Sequence, residues 1–115
     1  LANELNYVGT MCVEYFIDEN NDLLVNEIAP RVHNSGHLTI NAYNISQFES
    51  HIRSVCNLEA IEPVMKSAAI MQNIIGNDIF NYKNKEYKSN EFFFDYLKKE
   101  AKPKRKMGHL TTLKN

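Results

Sequence analysis

Residues 26–37 read NEIAPRVHNSGH, Asn26 through His37. This short stretch holds the carboxylate Glu27, the guanidinium Arg31, the imidazoles His33 and His37, and the carboxamides Asn26 and Asn34. Apolar Val25, Ile28, Ala29, Pro30 and Val32 are interleaved with them, so the segment is not a solvated polar loop. A further carboxylate, Glu14, lies one hairpin upstream. Fold stability requires no such set of groups. A site that handles a hard divalent cation, phosphate groups and a small anion does require it.

Working outward, Tyr7 to Ile17 alternates like a strand, with Met11, Val13, Tyr15 and Ile17 on one face and Cys12, Glu14 and Phe16 on the other. Asp18 to Asp22 (DENND) is a turn cluster, and Leu23 to Ile28 a second short strand, so the pair is expected to form a hairpin. Antiparallel pairing leaves two registers open. A four-residue loop, Glu19 to Asp22, sets Glu14 opposite Glu27, with Cβ atoms roughly 4.5–5.5 Å apart. A three-residue loop sets Glu14 opposite Asn26. Paired carboxylates on one face repel unless a divalent cation lies between them or one is protonated. Oxygen ligands suit Mg2+ better than zinc. On spacing alone, two solvent-facing glutamates are the alternative, and the segment after Glu27 weighs against it. There Arg31 offers a planar fork for carboxylate, carbonate or phosphate, and His33 and Asn34 can donate to the same anion. Ser35-Gly36 allows close backbone approach. His37 by default is a structural hydrogen-bonder.

Ser46 with Glu49 three residues on is a capping-box signature, and Phe48, Ile52 and Val55 follow at helical spacing, predicting an amphipathic helix from about Ser46 to Cys56. A boundary is expected near 57–62, before Pro63. Beyond it, Ala68 to Ile75, Phe92 to Leu97 and Lys106 to Leu113 read as strands, and Asn81 to Asn90 as a loop.

The 115 residues, 43% hydrophobic and 23% charged, describe a globular chain with no apolar run long enough to span a membrane. The opening at Leu1 reads as mid-element, so a longer polypeptide is expected. Cys12 and Cys56 lack metal-ligand spacing and read as free thiols of a reducing cytoplasm. The net charge of −1 hides an asymmetry. Residues 1–56 carry seven acids against Arg31 and Arg53, a balance of −5, and the remainder is +4. Cation binding is therefore expected in the first part and anion binding in the second. KPKRK (102–106) could mark nucleic acid, but the sequence pI near 6.5 and the lack of a basic helix or aromatic platform argue against that reading.

Four segments, NYVGTMCVEYF (6–16), NEIAPRVHNSGH (26–37), ISQFESHIRSV (45–55) and KRKMGHLT (104–111), resemble the ATP-grasp ligases. Within them they resemble the 5-(carboxyamino)imidazole ribonucleotide synthases of purine biosynthesis. The Glu…Asn-Glu pattern is common to many ATP-grasp enzymes, whereas APRVHNSGH and RKMGH are far more specific.

The resemblance implies an α+β fold. Residues 1–57 would be the closing part of an ATP-grasp domain, and residues 58–115 a small, mostly β C-terminal domain returning Lys98 and Arg105 to the same cleft. It implies Glu14 and Glu27 as magnesium ligands and Asn26 with Glu27 as ATP contacts. Arg31, His33 and Asn34 would surround bicarbonate and its phosphorylated product as catalytic and substrate-binding groups. Lys98 and Arg105 match two basic residues that hold the 5′-phosphate of 5-aminoimidazole ribonucleotide. Lys104 stands where the family usually has a small residue, commonly Gly, and Leu97 and Leu38 also replace commoner types. The implied reaction is ATP-dependent carboxylation of the ribonucleotide through carboxyphosphate, in a cytoplasmic enzyme commonly homodimeric, with the present piece inactive alone. Another ATP-grasp carboxylate ligase, or a non-catalytic module that binds a phosphorylated metabolite, are the alternatives.

Overall fold

The computed structural model describes residues 1–114. Helices and strands are mixed, as expected for α+β, and they fall into two compact units. One comprises Leu1–Ile40 and Ile45–Val64, the other Asn41–Asn44 and the chain from Met65 on.

The first unit is built on an antiparallel hairpin of β1 (Cys12–Ile17) and β2 (Leu23–Ala29). Its turn follows from the DENND chemistry. The Asp18 carboxylate accepts from the amides of Asn20 (2.8 Å) and Asp22 (2.9 Å), and the Asp18 amide donates to the Asp22 carbonyl at 3.0 Å. Asn21 takes φ +64°, a left-handed conformation that Asn tolerates better than most residues. The loop is thus the three-residue kind, and Ile17↔Leu23, Phe16↔Leu24 and Tyr15↔Val25 pair accordingly. The register then shifts between Tyr15 and Glu14, so that Glu14 faces Glu27 and Val13 faces Ile28. Both registers left open by the sequence occur, one at each end of the same hairpin, with Asn26 as the extra residue between them.

After β2 a 3-10 turn spans Asn34–Gly36, followed by the short α1 (Thr39–Ala42) and by α2 (Gln47–Val55). Ser46 caps α2, its Oγ accepting from the Glu49 amide at 3.2 Å. The expected capping box is only half used, because the Glu49 carboxylate turns to Arg53 Nε at 2.9 Å, an i,i+4 pair. Phe48, Ile52 and Val55 lie open on this helix, and its one buried residue is polar Gln47.

In the second unit β3 (Ala68–Ile75) and β4 (Glu91–Asp95) flank β5 (Lys106–Lys114), all antiparallel. The central strand buries Met107 to Thr111 without interruption. Ile74, Ile79, Met107 and Leu110 form the core, with Tyr82, Tyr87, Phe93 and Ala101 packed against it. A short helix, α3 (Ile79–Lys83), occupies the start of the segment expected to be a loop, and Ile79 draws it onto the sheet. The strand expected over Phe92–Leu97 stops at Asp95, because Leu97 turns to φ +53°. Phe93 enters the core, while Phe94 stacks on His109 at 5.4 Å between centroids, so the aromatic run serves packing. Among the described residues no helix is long and apolar enough to cross a membrane.

Candidate functional site

Strict alternation along β2 would send Asn26 and Glu27 to opposite faces of the hairpin. The extra residue at the register shift removes that alternation locally, which is how a bulge re-aims a side chain. Asn26 Nδ2 reaches Glu14 Oε2 at 3.4 Å. Glu14 Oε1 and Glu27 Oε1 lie 3.4 and 3.3 Å from the same atom, Nε2 of His33. Donor atoms of Glu14, Glu27 and His33 fall within 4.8 Å of one another, a spacing that could hold a metal ion.

His33 is nearly enclosed, with a side chain 12% exposed, while the two carboxylates are 37% and 48% exposed. Its Nδ1 lies 2.8 Å from Ser35 Oγ and accepts from the Ser35 amide at 3.4 Å. With Nδ1 accepting, the ring proton sits on Nε2 and points between the two carboxylates. The charge problem posed by facing glutamates therefore has a third answer beside cation or proton: an imidazole N–H shared by both. Glu14 and Glu27 offer the carboxylate oxygens that suit a hard dication, and His33 Nε2 could join them only in the other tautomer.

The other expected site residues are placed as follows. Arg31 is exposed, and its guanidinium donates to the Val32 carbonyl at 2.9 Å. Asn34 opens the 3-10 turn, and its carbonyl accepts from the His37 amide at 3.1 Å. In the second unit Lys98 Nζ donates to the Lys106 carbonyl at 2.6 Å and lies over the Tyr96 ring. Arg105 donates to the Glu100 carbonyl at 3.3 Å. Lys98 is thus anchored on the residue that follows Arg105, so the two cations belong to one loop.

That loop contains two residues in the left-handed region, Leu97 (φ +53°) and Lys104 (φ +63°). A Cβ at positive φ costs energy that Gly avoids, so both turns carry backbone strain. Asp95 holds the first of these turns. Its Oδ1 accepts from the Leu97 amide at 2.9 Å, and its Oδ2 pairs with Lys83 Nζ at 2.9 Å. Burial pushes the Asp95 carboxyl upward, but the bonds from Lys83 and the Leu97 amide outweigh it and hold the group below the usual aspartate range.

Gln47 is a site residue that the sequence reading passed over. Its amide lies against the backbone of His33 and the ring of His37, fourteen and ten positions away. A glutamine at the first turn of an amphipathic helix carries no signal of its own. Close packing of Gly36 was legible only as permissiveness, and the structure gives its cause: a Cβ there would meet Gln47 Oε1 at 2.5 Å.

Residues 1–48 match the ATP-grasp domain, and residues 69–115 match the phosphoribosylaminoimidazole carboxylase C-terminal domain. The chain belongs to the ATP-grasp proteins that carry this C-terminal domain. It is 47% identical to the N5-carboxyaminoimidazole ribonucleotide synthase of Staphylococcus haemolyticus over 100% of its own length and 31% of that protein. Among solved structures it is similar to the N5-carboxyaminoimidazole synthetase of Staphylococcus aureus complexed with ADP (TM-score 0.87, 42% identity, 99% of this chain and 32% of that one). It also resembles the Aspergillus clavatus synthase in complex with ADP and 5-aminoimidazole ribonucleotide (TM-score 0.81, 35% identity, 92% and 30%). The chain therefore spans about a third of the length of the relatives it matches.

Proposed function

We propose that this chain supplies part of the active site of an ATP-dependent carbon–nitrogen ligase that carboxylates 5-aminoimidazole ribonucleotide with bicarbonate. The observation that carries this reading is the bulge at Asn26, which gathers Glu14, Asn26 and Glu27 around His33. The similarity to synthases solved with ADP and with the ribonucleotide supports it.

Glu14 and Glu27 would hold Mg2+, with Asn26 and Glu27 as the contacts to ATP. Bound there, the ion supplies positive charge against the nucleotide phosphates. Arg31, His33 and Asn34 keep bicarbonate beside the terminal phosphate despite their mutual repulsion, mainly a matter of positioning and electrostatics. A bicarbonate oxygen takes the γ-phosphoryl group and ADP leaves. The exocyclic amine of the ribonucleotide then attacks the carboxyl carbon of carboxyphosphate, loses a proton and expels phosphate. Lys98 and Arg105 hold the ribonucleotide 5′-phosphate, which suits the positive balance of residues 57–115. The intact enzyme would work in the cytoplasm.

The test uses the intact protein. Bicarbonate together with 5-aminoimidazole ribonucleotide should stimulate ATP hydrolysis, and formate or an amino acid should not. Stimulation by another acid instead would assign the site to a different ATP-grasp carboxylate ligase. Glu27→Gln is expected to lower magnesium-dependent turnover by about a hundredfold or more. Near-normal turnover in that variant would remove Glu27 from the metal site.

A further inference from the structure

Gln47 is 8% exposed and makes three side-chain hydrogen bonds, an unusual investment for a helix residue outside the acidic cluster. Oε1 accepts from the His33 amide at 2.9 Å, while Nε2 donates to the His33 carbonyl at 2.7 Å. Backbone groups have only one role each, so these two bonds fix which end of the amide is oxygen. Nε2 also lies 2.7 Å from His37 Nδ1. A donor on that side means that Nδ1 accepts, and the His37 ring proton is then on Nε2.

The amide is itself held. The Gln47 backbone N–H donates to Thr39 Oγ1 at 2.9 Å, and Thr39 Oγ1 donates to the Gly36 carbonyl at 2.6 Å. The Gln47 carbonyl accepts from Thr10 Oγ1 at 3.1 Å. Gly36 leaves just enough room for the side chain. Phe48 packs against the His37 ring with centroids 5.2 Å apart.

We propose that Gln47 is a positioning residue of the carboxylating site. It grips the peptide of His33 on both sides, which keeps that imidazole in register with Glu14 and Glu27. It also locks His37 as the tautomer whose Nε2 is a hydrogen-bond donor. The two histidines of the APRVHNSGH segment are thereby oriented by one amide from a different element. This rests on the ligase reading for its catalytic consequence, though not for its geometry.

Gln47→Glu keeps the shape and the bond to the His33 amide. It replaces the other two donor contacts with carboxylate oxygen, which repels the His33 carbonyl and demands a proton on His37 Nδ1. In the intact enzyme, kcat with bicarbonate and ribonucleotide should fall at least tenfold, with KM for ATP within twofold and the thermal midpoint little moved. A merely structural Gln47 would lower stability without that split. Long-range proton–nitrogen spectra of protein labelled with 15N-histidine should show the His37 proton on Nε2, moving to Nδ1 in Gln47→Glu. A wild-type His37 protonated on Nδ1, or unchanged kcat in a variant whose tautomer has switched, overturns the proposal. Should Gln47→Glu not fold, Gly36→Ala, which displaces Oε1 from the opposite side, must give the same kinetic split or the proposal fails. The spectra need no turnover, so a wild-type enzyme without bicarbonate-stimulated hydrolysis would count against the ligase reading and leave the clamp to be judged on its own.

Discussion

The hairpin of the first unit and the sheet of the second are both antiparallel, yet different forces set their registers. In the hairpin Ala29 alone is buried, and Phe16, Ile17, Leu23, Leu24 and Val25 stand more than half exposed. In the sheet, β5 is buried from Met107 to Thr111 and fixes its neighbours by what must be hidden from water. A two-stranded ribbon with so little burial cannot be pinned that way. Its alignment comes from the Asp18 turn and the extra residue at Asn26. Freedom from burial is what lets the hairpin accommodate a register shift, which turns two consecutive side chains toward Glu14 and His33. The sheet, constrained through its centre, carries its expected anion-binding cations on a loop instead.

The sharpest challenge to this contrast is removal of apolar volume from each. Leu110→Ala in the core of the second unit should cost about 2–5 kcal/mol of stability. Leu24→Ala at the hairpin should cost less than about 1 kcal/mol, being 53% exposed already. Urea unfolding of the intact protein measures both, and equal losses would mean the hairpin register also depends on burial.

A second test concerns the loop that the sheet supports. Lys104→Gly relieves a left-handed lysine and should stabilise the protein by about 1 kcal/mol, less whatever the more flexible unfolded chain takes back. If Lys98 and Arg105 hold the ribonucleotide phosphate as proposed, KM for the ribonucleotide should change by less than about threefold, because both remain. A destabilised variant would show that the Lys104 side chain, rather than the backbone bend, holds the loop.

The smallest effect is expected at Asp95. Its carboxyl is held below the usual aspartate range by Lys83 and the Leu97 amide, against the pull of burial. A lowered folded value stabilises the protein above the ordinary aspartate titration and loses that stabilisation as pH falls through the folded value. Asp95→Asn should therefore cost at most about 1 kcal/mol at neutral pH, since Lys83 is 43% exposed. The gap to wild type should close as the medium becomes strongly acidic. Thermal unfolding across pH reads this directly, and a gap that widens toward acid would reverse the sign of the assignment.

Strand β3 was legible to the residue, as were the start of β5 and the body of α2, because local patterns of apolar alternation, capping and helical spacing carried them. The ends of β1 and β4 were not. The chain up to Met11 has the alternation of a strand but lacks a partner in the ladder. Leu97 bends away at a positive φ that its side chain gives no sign of. The apolar stripe of α2 was legible as a stripe, while its exposure was not, since that depends on what packs there.

Composition and spacing, acting through local chemistry, determined the hairpin, its two candidate registers and the capped helix. Tertiary structure alone decided that Asn26 would be the extra residue, that His33 would stand between two carboxylates, and that Gln47 would hold it there. The reason lies in range. Propensity and periodicity act over a few residues, whereas the direction of a side chain at a register shift, and a hydrogen bond closed fourteen residues later, depend on where the folded backbone brings distant groups together.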